Sequence, residues 1–101
     1  QEDHVSNGWA AARKLRRAVD NLRRILAVEI VCGAAAVDLR APLLPGAGTG
    51  AALGAVRGAV GGPGPDRWLS PELRAAESLL AGGHSPVLAA VESAIGPLEE
   101  I

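Results

Sequence analysis

Apolar residues recur at helical spacing through the first 40 residues, and this pattern constrains the fold more than any other feature. The periodic positions are Trp9, Leu15, Val19, Leu22, Leu26 and Ile30. Steps of three and four residues return side chains to one face of an α-helix, so we predict a helix from Val5 to about Arg40. Asp3 or Ser6 is a suitable N-cap, and Pro42 closes the segment. A helix of about 35 residues is about 50 Å long, so we expect it to find packing partners in a larger body.

Charged side chains lie between the apolar positions of this helix. The charges that share one flank are Arg13, Arg16, Arg17, Asp20 and Arg24. At these spacings Asp20 can pair with Arg16 or Arg24. The stretch ARKLRRAVDNLRR holds six basic residues, a pattern also found in nucleic-acid binders. No aromatic residues interleave with them and the net charge is −1, so we expect a charged flank that pairs with acids on neighbouring helices, and no nucleic-acid partner.

Weaker helix signals follow Pro42 and are separated by turns. The stretch APLLPGAGTG contains two prolines and three glycines, which is typical of a turn. AALGAVRGAV is compatible with a short helix that Gly54 and Gly58 weaken. GGPGPDRW is a turn-rich loop. We therefore expect one short helix between two irregular stretches.

Two more helices have clear boundary signals. One has Ser70 as its N-cap and Pro71 at its first helical position, and it stops at Gly82. The other begins at the serine–proline pair 85–86 and ends at Ile95, before a glycine and a proline.

The pattern as a whole predicts an all-α fold in one domain. One long core helix occupies residues 1–41, and a tail of three shorter helices occupies residues 42–101. The longest apolar run, around Ile25 to Val37, is broken by Glu29 and is too short to cross a bilayer, so no membrane partner is expected. One cysteine and the lack of a signal-peptide pattern predict a cytoplasmic location.

Isolated titratable residues in the rest of the chain do not suggest a site. Two histidines eighty positions apart and one cysteine have no metal-ligand spacing, so no metal is expected. His84 lies in a turn and is expected to be solvated. Cys32 lies on the apolar helix and is expected to be buried and inert. With Gly33 and residues 34–36 it forms a thin strip that another helix could approach closely.

The chain opens with an amide, two carboxylates and an imidazole, at Gln1, Glu2, Asp3 and His4. Glu2 and His4 would share a side in extended chain. A carboxylate beside an imidazole can perform general acid–base chemistry, and the positive end of a helix favours an anion. Acidic residues are also common at helix starts, where they cap the backbone. The spacing alone leaves both interpretations open.

Sequence motifs, unlike residue spacing, indicate which family the chain resembles. The first 42 residues resemble the C-terminal part of histidine ammonia-lyase. The resemblance is carried, in order, by QEDHVS, AARKLR, the helical stretch DNL…ILAVE and the DLRAP stretch that ends it. GPGPDRWLSPEL and VLAAVESAIGPL resemble the tail of that family, so the resemblance covers essentially the whole chain in order. QEDHVS is specific, because phenylalanine and tyrosine ammonia-lyases carry a different string with N-Q-D at this place.

The resemblance implies a part of a larger helical-bundle lyase. Enzymes of that family are homotetramers that eliminate ammonia from L-histidine to give urocanate. They use a methylidene-imidazolone prosthetic group, which forms from an internal Ala-Ser-Gly. Glu2 matches a glutamate that lines the pocket near the substrate imidazole and is implicated in catalysis. Gln1 matches a substrate-binding glutamine next to the prosthetic group. Asp3 and His4 match further motif positions around the pocket. The implied partners are the remainder of the lyase chain, sister subunits and L-histidine.

The chain departs from the family pattern in several places. Asn7 stands where methionine is usual, which places an amide close to the pocket or the residues packed around it. Trp68 stands where phenylalanine is usual. The sequence contains no Ala-Ser-Gly and no tyrosine, so we expect the isolated chain to be inactive. The alternative is a non-catalytic helical interaction module that self-associates.

Overall fold

The computed structural model describes residues 6–99, which form four helices and no strand. The helices are α1 (Gly8–Asp38), α2 (Ala47–Arg57), α3 (Ser70–Leu79) and α4 (Pro86–Ile95). The predicted all-α class, with one long helix followed by three shorter ones, is confirmed. The 31 residues of α1 extend about 47 Å, and the molecule measures 73 × 36 × 17 Å. Within residues 6–99, none of the helices combines the length and apolar character that crossing a membrane requires.

The ends of α1 lie inside the predicted limits. The N-cap position is Asn7, whose side chain makes no capping hydrogen bond. Ser6 was one of two predicted N-caps, and its Oγ accepts a hydrogen bond from the Gly8 N–H at 3.2 Å without occupying the cap position. At the other end the Leu39 N–H donates to the Ala35 carbonyl at 3.0 Å. The chain then turns through a cis Ala41–Pro42 peptide bond.

The predicted boundaries of α3 are wrong, whereas the predicted start of α4 is confirmed. Ser70 is the first helical residue of α3 and does not cap it. Its C-terminal end tightens through a hydrogen bond from the Leu80 N–H to the Glu77 carbonyl at 3.2 Å, so the helix closes before Gly82. Ser85 caps α4, because its Oγ accepts from the Leu88 N–H at 3.4 Å.

The core is small and contains only alanine and valine. The buried hydrophobic residues of the described chain are Ala27, Ala34, Val56, Val60 and Ala76. The principal helix packing is of α2 with α4 and of α1 with α3. Only two residues of α1 are buried, both in its C-terminal half. The chain's own short helices therefore cover only part of the predicted long helix, which is observed as α1.

One expectation about the middle of α1 is corrected by the packing, and the surface at Gly33 is left open. Cys32 was expected to be buried but is exposed, since none of the four described helices covers its face. It lies beside the loop of residues 61–69. A Cβ added at Gly33 would meet nothing within 4 Å, so no helix within the described residues approaches that position closely. His84 is exposed, as expected.

The ion pairs of α1 also differ from the prediction. Asp20 pairs with Arg23, three positions along, with 3.4 Å between Oδ1 and Nη1. It was expected to pair with Arg16 or Arg24. Arg24 instead lies 3.8 Å from the carboxylate of Glu77 on α3. This contact confirms, at one position, that the charged flank meets an acid on a neighbouring helix.

Candidate functional site

The predicted site lies at the start of the chain, before α1. Gln1, Glu2, Asp3 and His4 lie outside the residues that the structure describes. Asn7 is described: it is exposed and directly precedes the first helical residue. The position of Asn7 at the helix entrance is thus observed, and the roles of the other four residues stay predictions.

The backbone at the start of α1 presents positive potential to the residues before it. The N–H of Ala11 donates to the Asn7 carbonyl at 3.0 Å, so the amides of the preceding turn have no intrahelical acceptor. The first turn contains no acidic residue that would offset the helix dipole. An anionic group placed before Gly8 would therefore be stabilised by the helix end.

The first half of α1 extends away from the core of the chain. All of residues 6–19 are exposed, including large apolar side chains such as Trp9 at 74% and Leu15 at 66%. The Arg13 guanidinium lies 5.8 Å from the centre of the Trp9 ring, within cation–π range. A binding pocket at this helix end would need walls from residues outside 6–99.

An ion pair that the sequence did not predict fixes the opposite end of α1. Arg57 Nε donates to Asp38 Oδ2 at 2.7 Å, and Arg57 Nη1 donates to the Gly61 carbonyl at 2.6 Å. The side chain thus joins the last residue of α1 to the last residue of α2 and to the following loop. The only sequence signal for it was an arginine that ends an otherwise uncharged, glycine-rich helix.

A second arginine holds the same loop from its other end. Arg67 Nε donates to Glu72 Oε1 at 2.5 Å and Arg67 Nη2 to Glu72 Oε2 at 3.0 Å, a bidentate pair. The Nη2 group also donates to the Gly62 carbonyl at 3.0 Å. The hydrogen bond from Arg67 is the main cause that lowers the pKa of the Glu72 carboxyl below its usual value. These contacts shape the loop that presents the exposed Trp68.

The described residues contain no group of three histidine, cysteine, aspartate or glutamate side chains that could share a metal ion. The ionisable groups that the structure brings together are structural pairs. The candidate chemistry therefore rests on the opening motif alone.

Comparison with known proteins assigns the motif to a family. Residues 1–58 match the family model described as aromatic amino acid lyase. The histidine ammonia-lyase of Streptomyces coelicolor is 54% identical over 99 residues, that of Streptomyces griseus 52% over 101 residues, and that of Sorangium cellulosum 46% over 98 residues.

Each of these alignments covers 97% of this chain but 19% of the relative. The chain thus spans about a fifth of the length of the relatives that it matches. No solved structure matches it. The family match over more than half of the residues, together with this identity, shows that the chain belongs to the aromatic amino acid lyase family.

Proposed function

We propose that the chain is the C-terminal part of a histidine ammonia-lyase, an enzyme that eliminates ammonia from L-histidine to give urocanate. The observation that carries this proposal is the 54% identity to the Streptomyces coelicolor enzyme over nearly the whole chain. In that reaction a carbon–nitrogen bond breaks, a neighbouring carbon loses a proton, and a carbon–carbon double bond forms between them. Ammonia and urocanate together account for all the atoms.

The residues proposed to contribute from this chain are those of the opening motif. The carboxylate of Glu2 would accept a hydrogen bond from the substrate imidazole and take part in catalysis, and the amide of Gln1 would help to hold the substrate. Asp3, His4 and Asn7 would surround them. The observed helix start supports this assignment, because the amides of its first turn have no intrahelical acceptors and favour negative charge at residues preceding Gly8.

The prosthetic group of the family does not come from this chain. Ala-Ser-Gly, the tripeptide from which it forms, is absent from the sequence, so no catalytic step through the group is assigned to these residues. We expect the rest of the polypeptide to supply it. We also expect a homotetramer and a cytoplasmic role in histidine breakdown.

A chimera tests this function directly. Residues 1–101 replace the matching segment of the Streptomyces coelicolor enzyme, and urocanate formation from L-histidine is followed by its absorbance. We expect the chimera to be active and the 101-residue chain alone to be inactive. Glu2→Gln in the chimera should lower kcat about 100-fold or more, as expected for loss of an acid–base group. Glu99→Gln, which removes a carboxylate in the exposed C-terminal segment, serves as the matched control.

Two results would contradict the proposal. One is a chimera that assembles like its parent but forms no urocanate. The other is a Glu2→Gln chimera as active as the Glu99→Gln control. Urocanate formation by the isolated chain would separately show that these residues suffice.

A non-catalytic interaction module is the second candidate, favoured by the exposed apolar side chains of residues 9–26. It predicts that the isolated chain self-associates and that the chimera is inactive. Sedimentation velocity over a range of chain concentrations distinguishes it, because a monomer at every concentration would exclude self-association.

A further inference from the structure

An apolar strip on the first half of α1 has no partner among the described residues. The α1 strip consists of Leu15, Val19, Leu22 and Leu26, which repeat at spacings of four, three and four. This is the register of apolar positions in a coiled coil, and it aligns the four side chains along one face. All four are exposed, Leu22 at 54%. The strip therefore has the pattern of a helix-pairing seam.

The α1 strip continues into a groove between α1 and α2. The groove has a volume of about 410 Å³ and is lined by Leu26, Gly33 and Val37 from α1 and by Ala52 and Leu53 from α2, among others. Gly33 forms an open part of its floor, since a Cβ there would meet nothing within 4 Å. From Leu15 to Val37 the strip and groove together run about 33 Å along the helix. That length suits one partner helix of about six turns.

The charge beside the α1 strip is strongly positive, whereas the adjoining groove is lined by one acidic residue, Glu29. Residues 9–26 contain six basic residues and one acidic residue, a net charge of +5. Arg16 and Arg23 border the strip on one side, at the positions that follow Leu15 and Leu22, and Lys14 lies on the other side. Arg17 lies on the opposite face of the helix, about 100° further around from Arg16.

A second copy of the same strip is a poor occupant. If two α1 strips packed face to face, two segments with a net charge of +5 each would lie side by side. This pairing is unfavourable because like charges across a helix pair repel. The chain already shows the opposite arrangement, because α3 packs on α1 with Glu77 3.8 Å from Arg24. An acid-bearing helix is thus the kind of element that α1 accepts.

We propose that the α1 strip and the adjoining groove bind an amphipathic helix with acidic flanks, contributed by polypeptide outside this chain. The inference rests on the proposed function, under which the rest of the lyase supplies that helix. Its apolar face covers Leu15, Val19 and Leu22, and its carboxylates lie beside Lys14 and Arg16. Arg23 contributes less, because it already pairs with Asp20. The charge pairs select the partner and its register, while the apolar contacts provide most of the affinity.

Two synthetic helices test the proposal on the 101-residue chain. Both have about 21 residues with leucine and alanine at the paired apolar positions; one carries glutamate at every flanking position and the other lysine. Self-repulsion keeps each peptide monomeric. In fluorescence anisotropy at low salt we expect the glutamate peptide to bind about tenfold or more tightly than the lysine peptide. The difference should shrink as salt rises from about 0.02 M to about 0.5 M.

Matched variants locate the contact. Arg16→Glu should weaken the glutamate peptide about fivefold or more, whereas Arg17→Glu, with the same change in net charge on the opposite face, should change it less than about twofold. Leu22→Ala should weaken the same peptide about tenfold. Leu44→Ala, at an exposed position beyond α1, should leave its affinity unchanged.

Several outcomes would overturn the inference. They are equal binding of the two peptides, equal effects of the two arginine variants, and tighter binding of a DNA duplex of about 20 base pairs than of the glutamate peptide. Dimerisation of the chain that Leu22→Ala abolishes would identify a second copy as the occupant. An active chimera whose chain shows no peptide selectivity refutes this inference alone. Peptide selectivity with an inactive chimera refutes the proposed function alone.

Discussion

Arg57 and Asp38 lie 19 positions apart in sequence and join the ends of α2 and α1, with Nε and Nη2 of the arginine each 2.7 Å from Asp38 Oδ2. Both side chains are partly exposed, so solvent screens their attraction. The same guanidinium also donates to the carbonyls of Val60 and Gly61. Its contribution to the fold therefore comes mainly from fixing three segments through directional, charge-assisted hydrogen bonds.

Arg57→Ala should lower the free energy of unfolding by about 1–3 kcal/mol, because it leaves a half-buried carboxylate and two carbonyls without their donor. Urea denaturation followed by circular dichroism measures the change. Arg40→Ala, which removes an exposed arginine just after α1, should cost less than about 0.5 kcal/mol. Equal costs for the two variants would show that the Arg57 contacts do not hold α1 and α2 together.

The Arg67–Glu72 pair predicts a pH dependence of stability. The pKa of Glu72 is lowered in the folded chain, chiefly by the hydrogen bond from Arg67. Its stabilisation is therefore fully present above the ordinary glutamate pKa of about 4.3 and is lost as pH falls through the lower folded value. Glu72→Gln should flatten the fall in Tm below about pH 5.

The control for this pH profile is Glu99→Gln, a carboxylate in the exposed segment after α4. Thermal unfolding at steps of half a pH unit compares the two variants with the parent chain. We expect the Glu99→Gln profile to follow that of the parent. A Glu72→Gln profile parallel to the parent's below pH 5 would show that the pair does not contribute to acid stability.

Val56 is a sensitive position because the core is so small. It is 1% exposed and packs with other alanine and valine residues at the junction of the helices. Val56→Ala should cost about 1.5–3 kcal/mol in unfolding free energy, from lost burial and an unfilled cavity. Val28→Ala, where the valine is 47% exposed, should change stability by less than about 0.5 kcal/mol. A similar cost at both sites in urea denaturation would mean that Val56 is not part of a packed core.

The features that the sequence predicted are those that local chemistry determines. The helix of α1 follows from its spacing of apolar residues, and the start of α4 follows from a serine before a proline. The prediction that Ser70 caps α3 was wrong, although Ser70 also precedes a proline. The preceding Leu69 already has helical backbone angles, so the helix begins at Ser70 itself. The predicted partner of Asp20 was wrong because residues three and four positions away on a helix are both within reach of a side chain.

The features that sequence did not predict depend on which faces the chain itself covers. Cys32 sits on an apolar face, yet the short helices pack on other sides of α1 and leave it exposed. The Asp38–Arg57 pair requires the turn after α1 to bring two distant residues together. At the candidate site, only motif resemblance points to Gln1 and Glu2, whose roles stay predictions, because periodicity does not distinguish them from ordinary helix-capping residues.

Gly33 should affect stability and partner binding in opposite directions. It lies inside α1, where glycine costs about 1 kcal/mol relative to alanine, and a Cβ added there would meet nothing within 4 Å. Gly33→Ala should therefore raise the unfolding free energy of the isolated chain by about 0.5–1 kcal/mol. The same methyl group would enter the groove beside the α1 strip, so it should weaken binding of the glutamate peptide about threefold or more.

Gly54→Ala is the matched control for this pair of measurements. Gly54 lies inside α2, its added Cβ would also meet nothing within 4 Å, and it does not line the groove. It should raise stability by a similar amount, about 0.5–1 kcal/mol, without changing peptide affinity. If Gly33→Ala stabilised the chain and bound the peptide as well as Gly54→Ala does, the groove would not be where the partner helix packs. If neither Gly33→Ala nor Gly54→Ala stabilised the chain, the observation that both glycines lie in helices with open space around them would be contradicted.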